Sequence, residues 1–298
     1  MSAERHTMPM AQSYLYHRHS LLVRITHWIN VVALTALLMS GLQIFNEHPA
    51  LYWGKSSYTG EPALFEVPNG FPWGKPSYTG KPAIFQAANK FPSWITVPSE
   101  QWLAMGRRWH FFFAWLFLIN GIVYLAHSIA SRHVQRNLKP TREDWRGIWR
   151  SVKDHVRMRH PYGEAARRYN VLQKVSYLLL IFGLFPLVLL TGLSMSPWLN
   201  SVLPGWVDFL GGRQSARTLH FIVAWILVLF ALIHVFQVII TGFWNNLRSM
   251  ITGRYRISSE EQSCVAGDFR CRALSAVLCR LPSGGWQRQS GVRRAGAQ

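Results

Sequence analysis

The chain has 298 residues, 49% of them hydrophobic and 14% aromatic, and its 32 Lys and Arg against 13 Asp and Glu give a formal charge of +19. That much apolar material excludes a disordered basic chain. The cationic excess raises nucleic-acid binding, but four long uncharged runs assign it to membrane topology, and nucleic acid is not an expected partner.

A hydrocarbon core of about 30 Å takes about 20 residues of helix. The first 20 residues are polar, and the apolar run that follows, about 25–45, is longer than the usual apolar stretch of a cleaved signal peptide, so it is expected to be retained as the first span. The connection 46–108 holds a tandem repeat in which WGKSSYTGEPALF (53–65) recurs as WGKPSYTGKPAIF (73–85). Two turn-rich copies are too few for a solenoid; the reading is a duplicated loop element outside the cytoplasm, with only one copy expected to carry a role. The second span is expected at about 109–130, the third at 172–194 with a kink at Pro186, and the fourth at 218–243. Gly41, Gly121, Gly183 and Gly192 lie in or near the spans, where small residues let helices or a flat cofactor approach closely. Residues 1–256 thus read as one all-α, four-helix transmembrane bundle, and 257–298 as a basic, disordered tail that contains Cys264, Cys271 and Cys279 at spacings that suit no metal motif.

Charge orients the spans. Segments 1–24, 131–174 and 244–298 carry 24 of the 32 Lys and Arg, and segments 46–108 and 195–217 carry the other 8. By the positive-inside rule both termini are expected in the cytoplasm of a bacterial cell, with the chain in its plasma (inner) membrane.

Of twelve histidines, His6, His17, His19, His48, His133, His155 and His160 fall outside the spans and are expected to be solvated or interfacial. His27, His110, His127, His220 and His234 fall inside, where an ionisable side chain is costly and marks function. His220 and His234 are fourteen residues apart, which is about 21 Å along a helix and within about 40° of the same face. Two histidines on one face at opposite depths suit two stacked haems, each with a second ligand from another helix. The orientation places His110 at the depth of His220 and His27 at that of His234. In RITH (24–27), RRWH (107–110) and RTLH (217–220) an Arg precedes the histidine by three residues, on the same helix face and one turn nearer water. Arg24, Arg107 and Arg217 are therefore candidates for haem propionates, although Arg also flanks spans as a plain interfacial anchor. His127 lies off the His110 face and is a candidate for a quinone pocket, an interfacial histidine, or a rival to His27 as ligand.

The segments RITHWIN, GRRWHFFFAWLFLINGIVYL, RTLHFIVAWILVLFALIHVF and LRSMITGRY (247–255) resemble the bacterial cytochrome b561 family, which includes the b-type subunits of nickel–iron hydrogenases, over about residues 14–256. The resemblance implies a four-helix bundle with two b-type haems ligated by His27, His110, His220 and His234. It also implies electron exchange between an extracytoplasmic oxidoreductase subunit and the quinone pool of a respiratory chain. It leans towards a molybdenum-containing partner, with 46–108 as the docking face. On that reading the chain is an electron-transfer subunit, not an independent catalyst. Two other functions fit an apolar helical bundle: a stand-alone cytochrome that oxidises a small reductant such as superoxide with quinone, and a transporter that relays protons through its histidines. The second requires neither paired depths nor Arg at i−3.

Overall fold

The computed structural model describes residues 13–56, 61–67, 81–98, 102–131, 141–156 and 171–258. It is mostly helical, and four helices are long and apolar enough to cross a membrane. The first, α1 (Leu21–Glu47), starts at Ser20, whose Oγ accepts from the Val23 N–H at 3.4 Å. The second, α2 (Leu103–Ala130), runs back against it. Two short helices follow, α3 (Arg142–Arg146) and α4 (Ile148–Val156).

The third span is a run of three pieces: α5 (Val171–Leu179), a π turn at Leu180–Leu184, and α6 (Phe185–Ser194). The expected kink is this widened turn. Pro186 has no N–H to donate and its ring crowds the carbonyl four residues back, so the turn before it opens. After α7 (Pro197–Val202) and α8 (Pro204–Phe209), the fourth span α9 (Arg213–Ile240) packs on α6. Then α10 (Phe243–Thr252) ends on Gly253, which adopts a left-handed φ of 81°.

The spans overrun the apolar runs at their beginnings: α1 starts at Leu21 rather than 25, α2 at Leu103 rather than 109, and α9 at Arg213 rather than 218. Helical hydrogen bonding continues through the polar interface, whereas hydropathy marks only the hydrocarbon crossing. At its other end α9 stops at Ile240, short of the expected 243, because Gly242 at φ 107° turns the chain into α10.

Phe111, Phe112, Trp115, Ile119 and Ile122 of α2 and Ile222, Ile226, Leu229 and Ile233 of α9 are exposed, as side chains that face lipid should be. A buried amide ties the first two spans together. Buried Asn120 of α2 donates to the Thr26 carbonyl at 2.8 Å and to Asn30 Oδ1 at 2.7 Å on α1. Gly106 sits over Gln43, where a Cβ would lie 3.0 Å from its Cγ.

At one end of the bundle, β2 (Ala50–Leu51) pairs antiparallel with β3 (Phe65–Glu66), which pairs parallel with β4 (Phe85–Gln86). Phe65 stands beside Phe85 and Glu66 beside Gln86, so the two repeat copies stack one period apart as adjacent rungs. Anchoring contacts to the spans come from the first copy and from the segment that follows the second. Gly54 of the first copy accepts at its carbonyl from the Gln214 and Ser215 N–H groups at the start of α9, at 3.1 and 3.2 Å. Phe91, at the end of the second copy's period, exchanges hydrogen bonds of 3.1 and 2.8 Å with the Asn46 side chain of α1.

At the other end, β1 (Ser13–His17) pairs antiparallel with β5 (Arg254–Ser258). The first and last described segments are therefore neighbours, and strand structure extends to Ser258, two residues past the expected limit of the membrane domain. Residues 259–298, with the three cysteines, lie outside the described residues, as do His6, His133 and His160.

Candidate functional site

The spans bring four of the five candidate histidines together as two pairs. His110 of α2 and His220 of α9 have ring centroids 6.1 Å apart at an interplanar angle of 68°. His27 of α1 and His234 of α9 stand 6.3 Å apart at 62°. The first pair lies at the end of the bundle that carries β2–β4, the second at the end that carries β1 and β5. His127 joins neither pair; it is half-buried in the last turn of α2.

An imidazole nitrogen sits about 2 Å from a metal it binds and about 1 Å from its own ring centroid, so two imidazoles on opposite sides of one metal have centroids about 6 Å apart. Both pairs have that spacing. Among the described residues no three His, Cys, Asp or Glu side chains gather into a metal-binding group. Each pair would therefore hold a metal with two imidazoles, the rest of its ligands coming from another group.

The helices fix the tautomers of the first pair. Thr191 Oγ1 donates its proton to the Leu187 carbonyl at 2.7 Å and leaves a lone pair 3.2 Å from His220 Nδ1. The Val188 carbonyl is 3.0 Å from the same nitrogen. Ser40 Oγ likewise donates to the Ala36 carbonyl at 2.6 Å and lies 3.1 Å from His110 Nδ1. A carbonyl can only accept, so His220 Nδ1 is the N–H and its Nε2 keeps a lone pair free for a metal; the Ser40 hydroxyl offers His110 Nδ1 the matching acceptor. Two glycines bring the backbone up to these rings. A Cβ on Gly192 would stand 3.2 Å from His220 Cε1, and one on Gly41 would stand 3.5 Å from His110 Cε1.

The second pair is held by aromatic packing. His234 stacks on Phe230 at 6.2 Å and 9°, and His27 meets Trp28 edge-on at 5.6 Å. Trp28 Nε1 donates to the Met250 carbonyl at 3.2 Å, which ties this pair to α10.

The three arginines at i−3 divide between the ends. Arg217 Nη2 donates to the His48 carbonyl. The His48 ring sits within the fields of Arg217 and Arg107, and burial first, then these two cations, push its pKa below the usual histidine value against the pull of Glu47. Burial also lowers Lys90 beside Glu47. Arg24, at the other end, donates through Nη1 to the Ile251 carbonyl, and its buried Nε has no hydrogen-bond partner.

Sequence reasoning missed Ser40, Thr191 and His48. The signal for the first two was in the sequence: Ser40-Gly41 and Thr191-Gly192 are the same hydroxyl–glycine dipeptide in the first and third spans. His48 gave no signal, because its position depends on how the chain leaves α1.

A family model described as prokaryotic cytochrome b561 matches residues 18–253. The chain is also 28% identical over 239 residues to a protein of Azospira oryzae provisionally named protein-methionine-sulfoxide reductase subunit YedZ1, an alignment covering 80% of this chain and 98% of that one. No solved structure matches.

Proposed function

This chain belongs to the prokaryotic cytochrome b561 family and is a multi-pass membrane electron-transfer protein of the b-haem type; from that premise we propose that its two histidine pairs ligate two haems and conduct electrons across the bilayer. The observation that carries this reading is the double pairing, with both centroid separations, 6.1 and 6.3 Å, at the span of two imidazoles on one metal. Porphyrin would supply the ligands that the protein does not. When bound, each haem would supply one-electron exchange at iron, and a haem held by two histidines would leave no open site for oxygen chemistry.

The residues divide the remaining work. His110 and His220 hold the haem at the β2–β4 end, taken as the outer face, and His27 and His234 hold the inner one. Arg107 and Arg217 would meet outer propionates beside His48, and Arg24, with its unpartnered Nε, an inner one. His127, with the buried and unpartnered Ser128 hydroxyl beside it, would line a quinone site near the inner haem. By the charge distribution the termini are cytoplasmic and the membrane is the bacterial inner membrane.

The partner in this reading is an extracytoplasmic oxidoreductase subunit, molybdenum-containing as the family resemblance suggests. The name of the Azospira oryzae relative favours a protein-methionine-sulfoxide reductase, to which electrons would flow outward from quinol. Two measurements test the assignment. Purified cytochrome mixed with a ubiquinol or menaquinol analogue should show reduction of its haem bands, and affinity purification from native membranes should bring down a stoichiometric oxidoreductase. Quinol reduction without any such subunit would favour a stand-alone quinone-linked cytochrome, and failure of quinol to reduce the haem would remove quinone from the account.

A further inference from the structure

The two histidine pairs are equivalent in spacing but not in what holds them. At the outer pair each imidazole meets a hydroxyl from an odd-numbered span: Ser40 Oγ on His110 Nδ1 at 3.1 Å and Thr191 Oγ1 on His220 Nδ1 at 3.2 Å. Both hydroxyls also lie within hydrogen-bond distance of the carbonyl four residues back, at 2.6 and 2.7 Å, which leaves a lone pair for the ring, and His220 Nδ1 meets the Val188 carbonyl at 3.0 Å as well. Ser40 and Thr191 are themselves fully buried. Each is followed by a glycine beside the same ring, where a Cβ would crowd His220 from Gly192, at 3.2 Å, and make ordinary contact with His110 from Gly41, at 3.5 Å. The arrangement recurs in the two halves of the molecule, between α1 and α2 and between α6 and α9. Among the described residues nothing comparable is found at the inner pair, where Phe230 and Trp28 pack the rings.

We propose that Ser40 and Thr191 are positioning residues that set the ring orientation and electron donation of the outer imidazole pair, and so lower the reduction potential of the outer haem but not of the inner one. The inference rests on the haem reading above. An imidazole that donates its second N–H to an acceptor becomes a more basic ligand. A more basic ligand stabilises the oxidised iron, because ferric iron carries the extra positive charge. A hydroxyl that accepts from the ring provides this in a bilayer interior where water is scarce. The same bond resists rotation of the ring about its Cβ–Cγ axis, which preserves the angle between the two imidazole planes. The electrons involved are those of the ordinary ferric–ferrous exchange, and no proton leaves the ring.

The test is a spectroelectrochemical titration of Ser40→Ala, Thr191→Val and the double variant in the purified, haem-loaded full chain. Each haem is identified by the variant that lacks it, His220→Ala for the outer and His234→Ala for the inner. The expected result is an upward shift of the outer potential in each single variant, a larger one in the double, and an unmoved inner potential. The EPR g-anisotropy of the outer low-spin haem, which reads the angle between ring planes, should change in step. Ser40→Thr and Thr191→Ser, which keep the hydroxyl, should restore both readouts. If the alanine and valine variants lose the outer haem outright while the hydroxyl-keeping variants retain it, the positioning role stands. Unmoved outer potential and unmoved EPR signal in a double variant that keeps both haems would overturn it, as would haem loss that the conservative variants share. Should His220→Ala and His110→Ala retain both haems, the ligand assignment itself fails, which is a separate outcome.

Discussion

At the scale of single residues, four imidazoles divide into two independent sets, and their loss should be separable. His220→Ala should remove the outer haem and leave the inner, giving about one haem per chain in the pyridine hemochrome assay, and His234→Ala should do the converse. His110→Ala should match the first and His27→Ala the second. His127→Ala should keep both haems, since its ring joins neither pair. Loss of a haem from the His127 variant would mean that the ligand set is misassigned. His220 and His234 were legible from spacing, because helical pitch ties sequence separation to depth and face, and depth matched them to His110 and His27, with His127 left as a rival to His27. The hydroxyls that hold two of them were not, because a Ser or Thr in an apolar run most often bonds back to its own helix. Ser40 and Thr191 do that as well, and only the neighbouring helix shows the second contact. The i−3 arginines were legible as a set and in their depth but not in their partners: Arg24 and Arg217 are tied to backbone carbonyls contributed by segments more than 160 positions away.

At the scale of elements, the loop between the first two spans is a structural cap. Gly54 closes the start of α9, and Gly212, at φ 106°, allows that contact: a Cβ there would stand 2.6 Å from Lys55 Cα and 2.7 Å from the Gly54 carbonyl oxygen. Gly212→Ala meets both the left-handed backbone and a collision with main chain, so it should cost about 1–3 kcal/mol, read as a lower melting temperature of the haem-loaded protein. The stacking of the repeat predicts tolerance of a shortened loop. Excising residues 66–85 joins Phe65 to Gln86 and keeps both the Gly54 and Phe91 anchors, with the strand displaced by one spacing of about 4.8 Å. That variant should assemble with its full haem content; a deletion out of phase, such as 61–75, should not.

The repeat was plain in the sequence, yet its pairing was not, since parallel stacking depends on the 20-residue period returning the chain to its own edge. On the opposite face, Thr141 and Asp144 form a reciprocal capping box, with Asp144 N donating to Thr141 Oγ1 at 3.2 Å and Thr141 N to Asp144 Oδ2 at 2.8 Å. Lys174 Nζ meets the same carboxylate oxygen at 2.7 Å. The hydrogen bond from Lys174, then that from Thr141, lowers the Asp144 pKa. A carboxylate with a depressed folded pKa adds stability above its unfolded value, about 3.9, and loses it as pH falls through the folded one. Thermal unfolding of wild type and Asp144→Asn should therefore differ at pH 7, begin to approach as pH falls past about 3.9, and converge only below the depressed folded pKa; a difference that persists at that acid limit would remove the ion pair from the cause.

At the scale of the whole molecule, the helices form two packed pairs, α1 with α2 and α6 with α9, and the histidines join α9 to α1 and to α2 across them. Four spans and their approximate bounds were legible because lipid imposes one simple requirement, about 20 apolar residues in a helix. The short strands at both ends were not, since β1 and β5 are drawn together from opposite ends of the chain by the helices between them. The whole account depends on two metal-holding levels in one bundle, and the most direct measurement is the haem stoichiometry and redox titration of the purified full-length chain. The account predicts about two protohaems per polypeptide, a low-spin reduced b-type spectrum, and two resolved one-electron steps. A chain that takes up no haem, or binds a single haem whose loss follows neither His220 nor His234, would contradict it.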